Sequence, residues 1–471
     1  QFFGPMARQV NATLATINKA KAYPRNVELA FDAPLMGGRL GTLSYSISMI
    51  PEDSAYKPRE ADTRVGYFTT TWRDIGIPGA DTPWMRYINR WNLEKADPKL
   101  KLSPPKQPIV FYLEHTIPVR YRRWVRDGVL EWNKAFEKVG IINAIEVYQQ
   151  DARTNAHMDK DPEDARYNFV LWTNAGMGFA IGPSRVDPKT GQILDADIVM
   201  DEGFITAWAE EWKKVVPQTA MEKFGPETYE WLATRPQWDP RVLLATPAQR
   251  GDVLAQLQQA RALRAGMGYG GHPAVAADPT LMGDQEFDGL TGRVSQVNGA
   301  CTNAMRKSMD VALVRLAPGL LAELAREDDA DAKGDDAKKD DETEEDMLDG
   351  VPEWFIGPLL KDVVMHEVGH TLGLRHNFKA SSIYGQAQVN NADFKGRAIT
   401  GSVMDYNPIN INMKDGPCQG VYTMVTVGPY DLWAIEYGYS FEKDLKPILA
   451  RVSEQELPYA TDEGTWGPGP L

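Results

Sequence analysis

Residues 366–377 read HEVGHTLGLRHN and hold three of the six histidines in a chain of 471 residues. His366 and His370 are four apart, so on a helix their imidazoles leave one face, a turn apart. That is the geometry two nitrogens need to hold one zinc ion at about 2.0–2.1 Å. Glu367 stands beside the first of them, where its carboxylate reaches a water on the metal without having to coordinate it. Zinc acidifies such a water and the glutamate takes its proton, leaving a hydroxide-like nucleophile near neutral pH. Two ligands leave the site incomplete. Gly373 tolerates the left-handed backbone that ends helices, so the chain can turn there and bring His376 back as the third ligand. Three histidines and one open position describe a catalytic zinc site; a structural zinc is closed by four protein ligands. An accidental HExxH is common in helices, but the added glycine and third histidine in so histidine-poor a chain set coincidence aside. His115, His157 and His272 have no such neighbours and read as structural or exposed.

These residues need a helix beneath them. The apolar period in WFIGPLLKDVVMHEVGHTLGL puts Leu359, Val363, His366 and His370 on one face, which places the motif on a helix. Upstream, PIVFYLE (108–114), AIEVYQ (144–149) and NFVLWTN (168–174) read as strands. GFAIGPSRVDPKTGQILDADIVMDEG (178–203) reads as two strands around the turn at DPKTG. Between the first two strands, Val125, Val129, Trp132, Phe136 and Val139 mark one amphipathic helix ending at Gly140. The order predicts an α/β (α+β) catalytic domain, a mixed sheet with helices packed on it. Residues 1–107 read as a mostly β domain of unknown role, closed by the Pro/Lys-rich connector 95–108. Residues 108–471 then form the catalytic domain, interrupted by a helical insertion at 204–350.

Composition bounds the rest. The hydrophobic share of 43% allows a sizeable core, and no run of eighteen apolar residues exists to cross a membrane. A formal charge of −14 argues against a nucleic-acid partner, because a polyanion would be repelled. Residues 326–346 carry twelve acids and four bases and read as a solvated insertion. Asp329 there opens a stretch like a calcium loop, but Lys333 occupies a ligand position and the closing glutamate is missing, so calcium is unsupported. Cys301 and Cys418 permit one disulfide or two buried thiols. The chain begins at Gln1 without a signal segment and reads as a product whose leader has been removed.

HExxHxxGxxH resembles the zinc motif of the metzincin metalloproteases. The resemblance implies that His366, His370 and His376 bind zinc and that Glu367 is the general base. Metzincins carry a methionine turn downstream, and GSVMDYNP (401–408) supplies Met404 as an apolar floor beneath the imidazoles. SVMDY is closest to the astacin and serralysin branches, which makes Tyr406 an outer ligand or a donor to the oxyanion. GPYDLWAIEYGYS (428–440) resembles the helix after that turn, with Pro429 at its first position and Asp431 in its first turn. In metzincins an edge strand pairs with extended substrate. The best match is ILDADIVM, giving Ala196, Asp197 and Ile198, with Gly178, Phe179 and Ala180 of the GFAIG strand as the other choice.

More narrowly, DTRVGYF (62–68), PIVFYLEHTIP (108–118), VDPKTGQIL (186–194) and HEVGHTLGLRHNF (366–378) resemble a bacterial group of large exported zinc metalloproteases with an N-terminal domain of unknown function. Members usually continue beyond GTWGPGPL, which implies a truncated form. Asn377 departs from several branches, so their substrate rules do not carry over. No cysteine-switch sequence precedes the domain.

The expectation is an extracytoplasmic zinc endopeptidase acting on protein or peptide, with oligomeric state open. Two alternatives stand beside it: a catalytically silent binding or assembly protein with a covered cleft, and metal-assisted hydrolysis of a non-peptide. Retention of Glu367 disfavours the first, since ligation does not need it. The third histidine and the methionine turn disfavour the second.

Overall fold

The computed structural model describes residues 12–34, 40–51, 56–74, 76, 84–176, 178, 180–213, short pieces between 228 and 255, 307, 347–349, 351–410, 412 and 419–462. Phe179, His272, Cys301, Cys418, the acidic run with its calcium-like loop, and most of the 204–350 insertion lie outside these residues.

The N-terminal region is β-rich. Strands β1 (Thr16–Ala22), β2 (Asn26–Pro34) and β3 (Leu40–Ser48) form an antiparallel sheet in that order, and β4 (Thr69–Arg73) pairs with β5 (Trp84–Ile88) in a second two-stranded sheet. The polar face of the first sheet meets the rest of the chain. Lys21 Nζ lies 2.9 Å from the Asp161 carboxylate, Asn26 Nδ2 donates to Glu163 O at 2.7 Å, and Arg185 Nη1 donates to Ser48 Oγ at 2.6 Å.

Behind them stands a five-stranded mixed sheet built from β6 (Ile109–Leu113), β7 (Ile145–Gln149), β8 (Asn168–Thr173), β9 (Ala180–Ile181) and β12 (Ile198–Asp201). Its order is β7-β6-β8-β12-β9, parallel except for β9, which runs antiparallel to β12. The two long strands read from 178–203 are in fact four short ones. Pro183 offers no N–H to continue β9, and β10 (Ser184–Val186) pairs instead with β11 (Ile193–Ala196) outside the main sheet. Asp197 then carries the chain into β12, its Oδ1 accepting Phe169 N at 2.8 Å.

The single helix expected over 122–140 is also two, α1 (Arg122–Leu130) and α2 (Asn133–Lys138). Three consecutive side chains at the break are committed to other elements. Glu131 accepts Lys361 Nζ at 2.8 Å, Trp132 Nε1 donates to Met365 O at 2.9 Å, and Asn133 exchanges hydrogen bonds with the backbone of Ile145. The local backbone tightens to three-residue bonds, Lys134 N to Glu131 O and Ala135 N to Trp132 O. Gly140, at φ +88°, ends the unit.

The C-terminal part is helical. Helix α4 (Glu353–Thr371), buried along nearly its whole length, packs on the sheet and against α1. Gly128 allows that approach, since a Cβ there would lie 2.8 Å from the Val364 side chain. Helix α3 (Gly203–Lys213) opens the insertion, and α5 (Pro429–Tyr439) and α6 (Lys446–Ala450) close the bundle. Trp132, Trp208 and Trp433 are among the largest wholly buried side chains. Lys307, from the insertion, is buried as well, and its Nζ lies 2.8 Å from the carboxylate of Asp362 on α4.

Candidate metal centre

The last two turns of α4 present His366 and His370 with ring centroids 4.8 Å apart. The helix stops at once: Gly373 N bonds to His370 O and Leu374 N to Gly369 O, and Gly373 takes φ +98°. A side chain at Gly373 is excluded twice, by that backbone and because a Cβ would overlap Asn89 O. Beyond the turn the chain runs beside residues 66–68, with Phe68 N donating to Gly373 O at 2.8 Å and Arg375 N to Gly66 O at 2.9 Å. This returns His376 to the other two, 4.7 Å from His370 and 5.3 Å from His366 between ring centroids. One ligand atom from each of the three lies within 4.8 Å of the others.

Each imidazole is oriented through Nδ1. His366 is 2.7 Å from Val403 O, His370 is 2.9 Å from Leu374 O, and His376 is 2.9 Å from Asp462 Oδ1. Acceptors on Nδ1 fix the tautomer that leaves Nε2 with its lone pair. The Nε2 atoms of His366 and His376 are buried with no hydrogen-bond partner. Buried polar atoms are rarely left so, and a cation between them satisfies both. Burial first, and the neighbouring imidazoles second, push His366 well below its ordinary value and His370 down to about 3. Both are therefore neutral and able to ligate at pH 7. The donor set fits zinc: three neutral imidazoles with a position left over.

Met404 lies beneath this cluster. Gly369, between the two helical histidines, must be glycine because a Cβ there would overlap the Met404 sulfur. The turn is held from α5. Asp431 accepts Ser402 Oγ at 2.5 Å, Val403 N at 2.9 Å and Gly428 N at 2.7 Å. Burial pushes the Asp431 carboxyl up to about 7, while these donors pull it back. Val403 O meets His366, and Met404 O accepts Asn377 N at 2.9 Å. The turn therefore fixes one ligand directly and the neighbour of another. Tyr406 packs against the cluster, its ring centroid 4.9 Å from His376 and 5.5 Å from His366. Glu367 is wholly buried beside His366.

The chain matches two family models, one described as Met-zincin over residues 349–469 and one described as a domain of unknown function (DUF5117) over residues 3–96. The C-terminal part of this chain is similar to the metzincins. No curated protein and no solved structure matches the chain. The histidine triad, with Glu367 after the first ligand, matches the zinc-peptidase motif of metzincins. Among the described residues no helix is long and apolar enough to cross a membrane.

Of the strand residues tied to substrate, Ala196, Asp197 and Ile198 stand away from the edge of the main sheet. Ile198 opens β12, which lies between β8 and β9, and Ala196 belongs to the separate β10–β11 pair. The edge beside the histidine-bearing helix is Ala180–Ile181, and a Cβ on Gly182 would stand 2.6 Å from Glu367 O. Gly178, at φ +65°, donates to Asp201 Oδ1 at 2.8 Å, and Asp201 also accepts Ala175 N and Gly203 N. One carboxylate thus shapes the loop that delivers the edge strand. His115 is exposed, and His157 packs against Tyr112 and Tyr148, far from the triad's chemistry.

The sequence reading missed Asp462, Phe68 and Gly369. Phe68 packs tilted against the His370 ring, 5.8 Å between centroids. Gly369 could have been found, being a small residue between two ligands where the methionine must approach. Asp462 gave no signal, standing 86 residues from its partner.

Proposed function

We propose that this chain is a zinc-dependent endopeptidase that cleaves extended protein or peptide segments outside the cytoplasm. The observation that carries the reading is the convergence of two partnerless buried Nε2 atoms and a third oriented imidazole, with Glu367 adjoining the first. Zinc, when bound, supplies Lewis acidity toward water and toward the scissile carbonyl. Glu367 takes the proton of the attacking water and hands it to the leaving amine nitrogen. The Tyr406 hydroxyl donates to the oxyanion as the carbonyl becomes tetrahedral. Met404 packs beneath the ligands without bonding. The edge strand at Ala180–Ile181 offers backbone hydrogen bonds to extended substrate regardless of its side chains, which supports a protease of broad sequence tolerance, and Gly178 and Phe179 stand just before it.

The catalytic region is 108–471, metzincin-like in plan with 204–350 inserted, and residues 1–107 form an N-terminal region that works as its brace. The contacts of residues 66–68 with the zinc-binding turn favour that role. A silent binding protein with a covered cleft is the second reading, favoured by the burial of Glu367 and of all three ligands. Digestion of casein, with fragments mapped by mass spectrometry, separates the two. Internal cleavage that stops with a chelator and returns with zinc is expected. A zinc-loaded chain that leaves casein whole would establish the second reading.

A further inference from the structure

His366 and His370 are set by α4, and their Nδ1 atoms meet backbone carbonyls within the same fold unit. His376 lies on a loop beyond the helix, so its ring must be oriented by something else. That partner comes from the far end of the described chain. Asp462 Oδ1 is 2.9 Å from His376 Nδ1, and Oδ2 accepts Thr461 Oγ1 at 3.2 Å and faces Arg375 Nη2 at 3.8 Å. Asp462 is buried, with 4% of its surface exposed. Burial works against its charge, yet His376 and Arg375 hold the carboxyl below the ordinary range.

The segment that delivers Asp462 is pinned along its length. Phe378 N donates to Ala460 O at 2.8 Å, Asn377 Nδ2 to Pro458 O at 3.0 Å, and Ala460 N to Asn377 Oδ1 at 3.2 Å. Tyr459 stacks on Tyr430 with rings 3° from parallel and fills the space that a side chain at Gly66 would need. Asn377, whose own N–H bonds to the methionine turn, is therefore the residue that ties strap, turn and third ligand together.

We propose that residues 457–462 are a strap belonging to the zinc site, and that Asp462 is the positioning residue that fixes the third ligand, His376. A carboxylate on Nδ1 holds the Nδ1–H tautomer, aims Nε2 at the metal and raises the basicity of the ring. The strap touches no reacting atom; it acts through His376. This inference rests on the zinc reading above.

The test is the zinc dissociation constant of the full chain, by competition with a chromophoric chelator, for wild type, Asp462→Ala, Asp462→Asn and Glu456→Ala. Asp462→Ala should bind zinc about 10–100-fold more weakly. Asp462→Asn keeps an acceptor oxygen without the charge and should fall between, at least about threefold weaker than wild type. Glu456→Ala alters the entry to the strap, where Glu456 accepts the Tyr384 hydroxyl away from the histidines, and should leave zinc affinity within about twofold. Asp462→Ala equal to wild type overturns the proposal, as does equal weakening by Glu456→Ala, which would make the strap generally structural. If Asp462→Ala does not fold, the near-isosteric Asn variant decides, and unchanged affinity there overturns it. A wild-type chain that binds no zinc would instead sink the zinc reading itself.

Discussion

His370 titrates far below an ordinary histidine. Burial and the adjacent imidazole push it down to about 3, whereas an unfolded histidine titrates near 6.5. The folded chain therefore binds fewer protons than the unfolded chain between these values. The stability is fully present above pH 6.5 and is lost as pH falls, at about 1.4 kcal/mol per pH unit, until about pH 3. We expect the zinc-free protein to show a denaturant midpoint that drops steadily from pH 6.5 downward. A flat profile to pH 4 would contradict the burial argument. Tyr406 makes a different demand. Removing its hydroxyl in Tyr406→Phe leaves the ring packed against His366 and His376 and deletes one oxyanion donor. Loss of one such donor lowers kcat by about 10²–10³-fold with KM little changed. Equal kcat in the variant would reduce Tyr406 to a packing residue.

The elements that carry these residues were unevenly legible. The zinc helix, its stop at Gly373 and the helix beginning at Pro429 follow from local rules: apolar period, a glycine at positive φ, a proline in the first turn. Helices α1 and α2 read as one because the tightening at Glu131–Asn133 is imposed by tertiary partners that no window of sequence contains. The edge strand was hard to read for a similar reason. Ala180–Ile181 is two residues long and gives almost no alternation, while the richer pattern of ILDADIVM spans β11, outside the main sheet, and β12, flanked by β8 and β9. Two predictions belong here. Gly373→Ala forces a left-handed backbone costing about 1–2 kcal/mol and adds the clash with Asn89 O, so its thermal midpoint and zinc affinity should both fall. Asp431→Asn puts an amide donor where backbone and hydroxyl donors already point. Leaving such groups unsatisfied costs about 1–3 kcal/mol, read as a lower thermal midpoint. Either variant matching wild type in both readings would show that the turn is held by other contacts.

Across the whole molecule, the N-terminal region and the insertion both reach the zinc helix. Tyr67 OH donates to Ala434 O at 2.8 Å, Trp91 Nε1 donates to Thr371 O at 2.8 Å, and Tyr437 OH donates to Glu60 O at 2.6 Å. A connector rich in proline and lysine at 95–108 suggests separability to a sequence reader, but long-range hydrogen bonds of this kind are invisible there. Lys307 ties one described residue of the insertion to the core: its Nζ bonds to Asp362 Oδ2 at 2.8 Å and to Asn407 O at 3.1 Å. Lys307→Met leaves the Asp362 carboxylate without its cation and should destabilise by about 3–5 kcal/mol. Adding Asp362→Leu should recover part of that loss, because removing both charges removes the desolvation cost. Denaturant melts of the single and double variants check this; a single variant as stable as wild type would show that the buried ion pair does not stabilise the fold.

The most direct measurement combines bound zinc with casein cleavage for wild type and Glu367→Ala. About one zinc per chain in both, with cleavage by wild type only, is the result the account predicts, since Glu367 moves a proton and does not ligate. Cleavage by Glu367→Ala at the wild-type rate would contradict it, as would zinc lost together with the carboxylate.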